Sequence, residues 1–302
     1  MSTTFRSAVV RAPGSPDHIE IIDVPVTEPG PGEVRVAIAG AAVNPVDLAV
    51  VSGFFHEIGL IQRTGHVGLG WEFAGTVAAA GPGAPFPVGS RVAGLLPGFD
   101  RDFGTYAEQL VVPADDLALV PEALDLTTAA AVPLNGLAAA RLVGLLGDGD
   151  GRTLLVTGAA GAVGANVAVL AQDRGWRVTG LARAGDETFV RGLGAGFTAE
   201  ATPGWDAVAD AAALQAEGLA LARDGGLFVG VLPNAAPPEE RDITVRVLDV
   251  QADRDRLAEL LDAAASGRLP VRVHEVVPLE KAADVHRRVA RGGVRGKFVL
   301  QP

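Results

Sequence analysis

The run TLLVTGAAGAVGANVAVLAQDRG, residues 153–175, constrains this chain more than any other segment. It reads as a buried apolar strand, a glycine-rich turn, and a helix with Val163, Val167, Leu170 and Ala171 on one face. A strand entering a helix through so tight a turn predicts a βαβ unit. The start of that helix offers an anion its backbone N–H groups and the positive end of its dipole. Aligning the last two glycines of the dinucleotide pattern gives Ala159-x-Gly161-x-x-Gly164, so Ala159 stands where a glycine is usual and Gly158 helps the chain turn. Gly161 lets the backbone approach a pyrophosphate, and Gly164 lets the helix pack closely on the strand. Gly158, Ala159, Ala160, Gly161, Ala162, Val163 and Gly164 are therefore assigned to cofactor binding. A flexible turn without a ligand is the alternative.

The end of the following strand chooses between cofactors. NAD binders place an Asp or Glu there, about 20 residues past the loop, to hold the ribose hydroxyls. In RVTGLARAGDE that place is taken by Ala182 and Arg183. Without a carboxylate nothing repels a 2′-phosphate, and Arg183 can pair with it through charge-assisted hydrogen bonds. NADPH is the cofactor this reading favours. The competing reading makes Arg183 a solvated charge, with Asp186 or Glu187 meeting the ribose.

At 302 residues the chain has room for two domains. Its first ~115 residues read as short strands and turns, with Val34, Val36 and Ile38 alternating on one face and PGPGE and PFPVGS supplying turn residues. From PEALDLTTAAAVPLNGLAAARLVGLL the texture becomes Ala- and Leu-rich and helical, which places a boundary near residue 120. Beyond it, strand-like TLLVTG, RVTGLA, WDAVADA and GLFVGV alternate with helical segments, the pattern of a parallel sheet with crossover helices. After residue 250 a helix carries Leu257, Leu260, Leu261 and Ala264 at helical spacing, followed by RLPVRVHEVVPL, another helix and GKFVLQP. Periodicity leaves open whether this tail completes the parallel sheet or returns to the first domain.

Several function classes drop out. A net charge of -11 opposes a nucleic-acid surface, which needs clustered Lys and Arg. The absence of cysteine excludes disulfides, Cys-ligated zinc and a thiolate nucleophile. The longer uncharged stretches, such as 73–90, are broken by Gly and Pro, so no membrane span is expected. The start MSTTFRSAVVRAPG lacks a basic region followed by an apolar run, and a cytoplasmic protein is the expectation. Histidines at 18, 56, 66, 274 and 286 share no ligand spacing, and no metal is expected.

Reading outward from the loop, NPVD at 44–47, GWEFAGTV at 70–77, VGSRVAG at 88–94, GTYAEQLVVP at 104–113, AAAVPLNGLAAA at 129–140, GGLFVGV at 225–231 and GKFVL at 296–300 follow one another in a recognisable order. In that order they resemble the medium-chain dehydrogenase/reductase superfamily, and within it the zinc-independent quinone oxidoreductases and enone reductases. Agreement across many segments carries more than any one string. The resemblance implies an α/β chain, a Rossmann doubly wound parallel sheet plus a GroES-like β-rich catalytic domain. Residues 1–119 would form the catalytic domain, 120–250 the NADPH-binding domain, and 251–302 a segment returning to the catalytic domain.

Zinc-dependent relatives carry Cys at the position of Asn44 and His at that of Trp71; neither Asn nor Trp is a useful zinc ligand. Hydride delivery to an already electrophilic small molecule, a quinone or an α,β-unsaturated carbonyl, then fits better than alcohol oxidation. Asn44 is the polar candidate near the acceptor, its amide donating to a carbonyl oxygen, with turn capping before Pro45 as the alternative. Tyr106, the only tyrosine, is a second catalytic candidate that also reads as a strand residue. Asp47 and Glu72 are expected to organise loops. Trp71, Phe54 and Phe55 could line a flat pocket or belong to the core. Val231 and Leu232, where GGLFVGV ends, are assigned to the cofactor site. Two departures separate the chain from its relatives: no Tyr follows NPVD, and Ala138 replaces a frequent Thr. Competing functions are a non-catalytic NADPH-binding sensor or structural protein and an enoyl-thioester reductase. The resemblance also implies a homodimer.

Overall fold

The computed structural model describes residues 3–302. The chain divides into two compact units, one running to Leu134 and including Gln251–Ser266 and Val271–Pro302, the other comprising Asn135–Val250 and Gly267–Pro270.

The first unit begins with β1 (Thr4–Val10), β2 (Ile19–Pro25) and β3 (Glu33–Ala42), followed by α1 (Pro45–Ser52) and α2 (Phe54–Glu57). Strands β4 (Val67–Gly68), β5 (Glu72–Ala80), β6 (Arg91–Leu95), β7 (Gln109–Pro113) and β8 (Leu117–Leu119) lead to α3 (Leu126–Ala129). Alternation in β3 turns Val34, Val36 and Ile38 into the core, as the period of two requires. One edge of β3 pairs antiparallel with β5. Its other edge is shared: Glu33–Ala37 pair with β7, whereas Ala41 and Ala42 pair with a strand from the far end of the chain.

The domain change falls at Leu134, about fifteen residues after the texture change suggests, inside α4 (Pro133–Leu146). The reason is packing: β8 pairs with β6, and a Cβ added at Gly40 of β3 would touch the methyl of Ala130 just past α3. Both therefore belong with the β-rich unit although α3 is helical.

The second unit contains β9 (Thr153–Thr157), α5 (Ala162–Gln172), β10 (Arg177–Leu181), α6 (Glu187–Gly192), β11 (Gly196–Thr198), β12 (Trp205–Asp210), α7 (Ala216–Leu219), β13 (Ala222–Gly230) and β14 (Thr244–Val247). All pairings are parallel, in the order β11-β10-β9-β12-β13-β14. Leu155, Val208, Leu219, Phe228 and Ile243 form part of its core.

The chain then re-enters the first unit through α8 (Arg254–Ala265), β15 (Val273–Pro278), α9 (Ala282–Ala290) and β16 (Lys297–Gln301). Leu257, Leu260 and Leu261 are the buried stripe of α8. Strand β16 pairs with β3 through Val299 and Leu300, so the open question of the tail is answered by backbone hydrogen bonds. Among the described residues no helix is long and apolar enough to cross a membrane.

His286 on α9 is fully buried, with neither ring nitrogen partnered among the described residues and its ring edge-on to Tyr106 at 6.0 Å. Burial pushes its imidazole down to about 4. The unfolded chain then binds a proton that the folded chain refuses, so stability is full above the free value of about 6.5 and falls as pH drops toward 4. Replacing His286 by Leu should flatten this dependence by up to ~1.4 kcal/mol per pH unit. Urea unfolding at pH 7 and pH 5 measures it, and a variant that keeps the parent slope contradicts the assignment.

Candidate functional site

Strand order reverses between β9 and β12 in the parallel sheet, and the crevice at the carboxyl ends of those strands is where open α/β sheets bind nucleotides. The glycine-rich loop leaves β9 at that edge. Gly158 adopts φ +60°, a conformation that strains any side chain. A Cβ at 164 would run into the Gly158 carbonyl, so the close approach of α5 to the loop requires glycine there. Ala159, in place of the customary glycine, is accommodated because its methyl lies over Gly180 of β10, where no side chain competes. The first bond inside α5 runs from Ala165 N–H to Gly161 O at 2.9 Å. This leaves the N–H groups of Ala162, Val163 and Gly164 without acceptors in the helix, a cradle that fits a pyrophosphate.

Arg183 follows the carboxyl end of β10 and is exposed, with no side-chain hydrogen bond or ion pair among the described residues. The two carboxylates that could replace it are placed otherwise. Glu187 pairs with Arg191 at 2.8 Å on α6, and Asp186 is 7% exposed. Val231 and Leu232 follow the carboxyl end of β13, Leu232 exposed. Every cofactor-side residue named from sequence thus lies at one edge of the sheet. An open groove of about 480 Å³ lined by Thr153, Gln172, Arg177, Trp176 and Trp205 sits at the amino ends of the strands, the opposite edge.

Within the first unit, Asn44, Asp47 and Glu72 are all buried and come together. The Asp47 carboxylate caps the start of α1 by accepting the Asn44 N–H at 2.9 Å, and its other oxygen takes the Gly70 N–H at 3.1 Å. Asn44 Nδ2 donates to Glu72 Oε1 at 2.8 Å and to the Ala42 carbonyl at 3.2 Å. Its Oδ1 accepts from Lys297 Nζ at 2.6 Å. Glu72 Oε2 takes the Leu134 N–H at 2.8 Å. Asn44 was expected to donate to an acceptor carbonyl; instead both its amide hydrogens are committed inside the domain, because two buried acceptors lie within reach.

Burial pushes the Glu72 carboxyl up to about 7 against the pull of Lys297 and Asn44, and Asp47 up to about 6. It pushes the Lys297 ammonium down, opposed by both carboxylates. Tyr106 is fully buried in the turn before β7 rather than within a strand. Its hydroxyl faces Asp47 without a partner in bonding geometry among the described residues, and burial raises it well above the ordinary phenol range.

Trp71 and Phe55 are each 7% exposed and join Phe99 in an aromatic cluster, with ring centroids 5.0 Å and 4.1 Å from it. Arg101 lies over the Trp71 ring at 5.1 Å. Phe54 extends from Phe55 toward solvent. Lys297 and Arg101 escaped the sequence reading. The signal for Lys297 was its rarity: it is one of two lysines in a chain that otherwise uses arginine.

If the loop is a pyrophosphate cradle, its two later glycines differ in tolerance. Gly164→Val should lower dinucleotide affinity at least ~10-fold through its collision with the loop carbonyl. Gly161→Ala meets the same oxygen only at 3.1 Å and should lower affinity less. Calorimetric titration measures both, and undiminished binding by the Val variant would remove the cradle.

Residues 30–122 match the family described as "Alcohol dehydrogenase GroES-like domain", and residues 184–300 match "Zinc-binding dehydrogenase". The crystal structure of an NAD-dependent alcohol dehydrogenase is 30% identical, with TM-score 0.83 over 98% of this chain and 99% of that one. The quinone oxidoreductase from Coxiella burnetii shares the fold, with TM-score 0.86 over 99% of both chains at 23% identity. A 153-residue stretch is 37% identical to the quinone oxidoreductase of Pseudomonas aeruginosa and covers 50% of this chain and 44% of that protein. The chain spans half or less of the length of the curated relatives it matches. Two matched families in chain order, a full-length relative, a parallel nucleotide-type sheet and a β-rich unit completed by the tail place this chain in the medium-chain dehydrogenase/reductase superfamily.

Proposed function

We propose that the protein is an NADPH-dependent reductase that transfers hydride to a small electrophilic acceptor, a quinone or an α,β-unsaturated carbonyl, without a metal. The observation that carries this reading is the bond from the Lys297 ammonium to Asn44 Oδ1. Asn44 occupies the position of a zinc ligand in zinc-dependent relatives. A buried cation bonded to that oxygen is incompatible with a zinc ion sharing it, because two positive charges would meet in a low-dielectric interior. Trp71, at the position of another ligand, has only an indole N–H to offer, which is a donor. Among the described residues no group of three or more His, Asp or Glu side chains converges.

Loss of the Lewis acid suits acceptors that are electrophilic already. When bound, the reduced nicotinamide supplies the hydride. The chain's own residues hold and orient. The N–H groups of Ala162, Val163 and Gly164 take the pyrophosphate, and Arg183 takes the 2′-phosphate. Asn44 keeps Lys297 and Glu72 in place as a positioning residue, and Asp47 fixes the turn into α1. Trp71, Phe55 and Phe99 give the catalytic domain an apolar wall suited to a planar ring.

Arg183→Ala should weaken NADPH at least ~10-fold and leave NADH nearly unchanged, since one charge-assisted pair is worth about 1.5–3 kcal/mol. An equal loss for both cofactors would remove the NADPH assignment. Turnover is tested by NADPH oxidation with a panel of quinones, enones and enoyl thioesters. Quinones or enones should be consumed, whereas tight binding with no turnover on any acceptor would make the protein a binding protein rather than an enzyme.

A further inference from the structure

The last residues of the two strands flanking the crevice, Thr157 of β9 and Asp210 of β12, are register partners and are both fully buried. Thr157 Oγ1 donates to Asp210 Oδ1 at 2.6 Å and accepts the Ala212 N–H at 3.0 Å. Asp210 Oδ2 accepts the Gln215 N–H at 2.8 Å. Between these anchors the chain passes through two residues with positive φ, Ala213 at 57° and Gln215 at 58°. Neither is glycine, so the turn is held in a costly conformation by the bonds to Thr157 and Asp210.

Hydrogen bonds orient this carboxylate, yet among the described residues no Lys, Arg or His side chain pairs with it. Buried carboxylates ordinarily have a cationic partner. The position of Asp210 suggests what that partner is. It ends the first strand of the second mononucleotide half, β12-β13-β14, at the carboxyl edge, while the glycine-rich loop that would hold the pyrophosphate leaves the neighbouring strand. The half of a dinucleotide beyond the pyrophosphate belongs over this second half. In a nicotinamide dinucleotide the ring there is cationic when oxidised and neutral when reduced.

We propose that Asp210 is a fixed counter-charge beneath the crevice that favours the oxidised, cationic nicotinamide ring over the reduced, neutral one. This rests on reading the unit as a nicotinamide dinucleotide site. Thr157 is the positioning residue that aims the carboxylate. The consequence for the proposed reaction is that the oxidised product is retained relative to the reduced reactant, so its release weighs on turnover.

The test is the ratio of dissociation constants for the oxidised and reduced cofactors, measured by calorimetry with the full chain. NADP⁺ and NADPH form one pair and NAD⁺ and NADH the other. A purely structural role for Asp210 would move both redox forms alike, whereas a charge moves only their ratio. Asp210→Asn should weaken oxidised cofactor at least ~3-fold more than reduced cofactor, given how slowly a charge interaction decays inside protein. Asp210→Ser keeps an oxygen for the Gln215 N–H and should shift the ratio in the same direction, which covers a failure of the Asn variant to fold. Asp210→Glu keeps the charge and should leave the ratio near its parent value even where absolute affinities fall, whereas Thr157→Val, which frees the carboxylate from its aim, should move the ratio in the direction of the neutral variants by a smaller factor. A ratio unchanged in both neutral variants overturns the proposal. Failure of the parent protein to bind any of the four dinucleotides would overturn the dinucleotide reading and this inference with it, while binding with an unmoved ratio overturns this inference alone.

Discussion

The bond between Lys297 and Asn44 is the contact on which the β-rich GroES-like unit depends. It joins the start of β16 to the turn between β3 and α1, residues separated by 253 positions, and closes the sheet that the tail strand completes through Val299 and Leu300. It also sets the local electrostatics. Two carboxyl groups, Asp47 and Glu72, are buried beside one amide; the Lys297 ammonium is the main force opposing the desolvation of Glu72, whereas the cation acting on Asp47 is Arg101. Remove it and Glu72 and Asn44 Oδ1 remain in the interior with less to satisfy them, a situation proteins avoid. On the proposed reading, the same charge stands in for a metal by filling the place where one would bind.

The nucleotide unit is built on a different economy, one of space rather than charge. Gly164 lets α5 approach the loop, Gly158 turns the chain, and Gly180 leaves room for the methyl of Ala159. These contacts aim the start of α5 at the crevice. Thr157 and Asp210 then hold the turn on the far side of the switch point. The loop and that turn therefore border the same crevice, one through backbone N–H groups and the other through a buried carboxylate.

How much of this could be read in advance depended on how local each signal was. The strand–loop–helix order around residues 153–172 is a nearest-neighbour pattern, and the parallel alternation that follows is another; both appear in the structure as β9, α5 and their neighbours. The tail was ambiguous because periodicity reports a strand's faces but not its partner, and β16 finds β3 across most of the chain length. The compact units divide at Leu134 rather than near residue 120 because α3 is helical in texture yet packs with the β-rich unit. Among the candidate site residues, the proposals for Arg183 and the loop follow from spacing. The engagement of Asn44 with Lys297 and Glu72 does not, since no local pattern links positions 44, 72 and 297. Asp210 ends an apolar run, WDAVAD, and a carboxylate closing a buried strand was the available clue.

If this chain reduces its acceptor with a nicotinamide cofactor and no metal, the Lys297 ammonium lying where an ion would otherwise sit, its turnover owes nothing to zinc. The most direct measurement is the steady-state rate of NADPH oxidation with a quinone acceptor, before and after exhaustive chelation and again after adding zinc, with bound metal quantified in parallel. The expected result is a rate that neither treatment changes and less than stoichiometric bound zinc. A rate abolished by chelation and restored by one equivalent of zinc would contradict it.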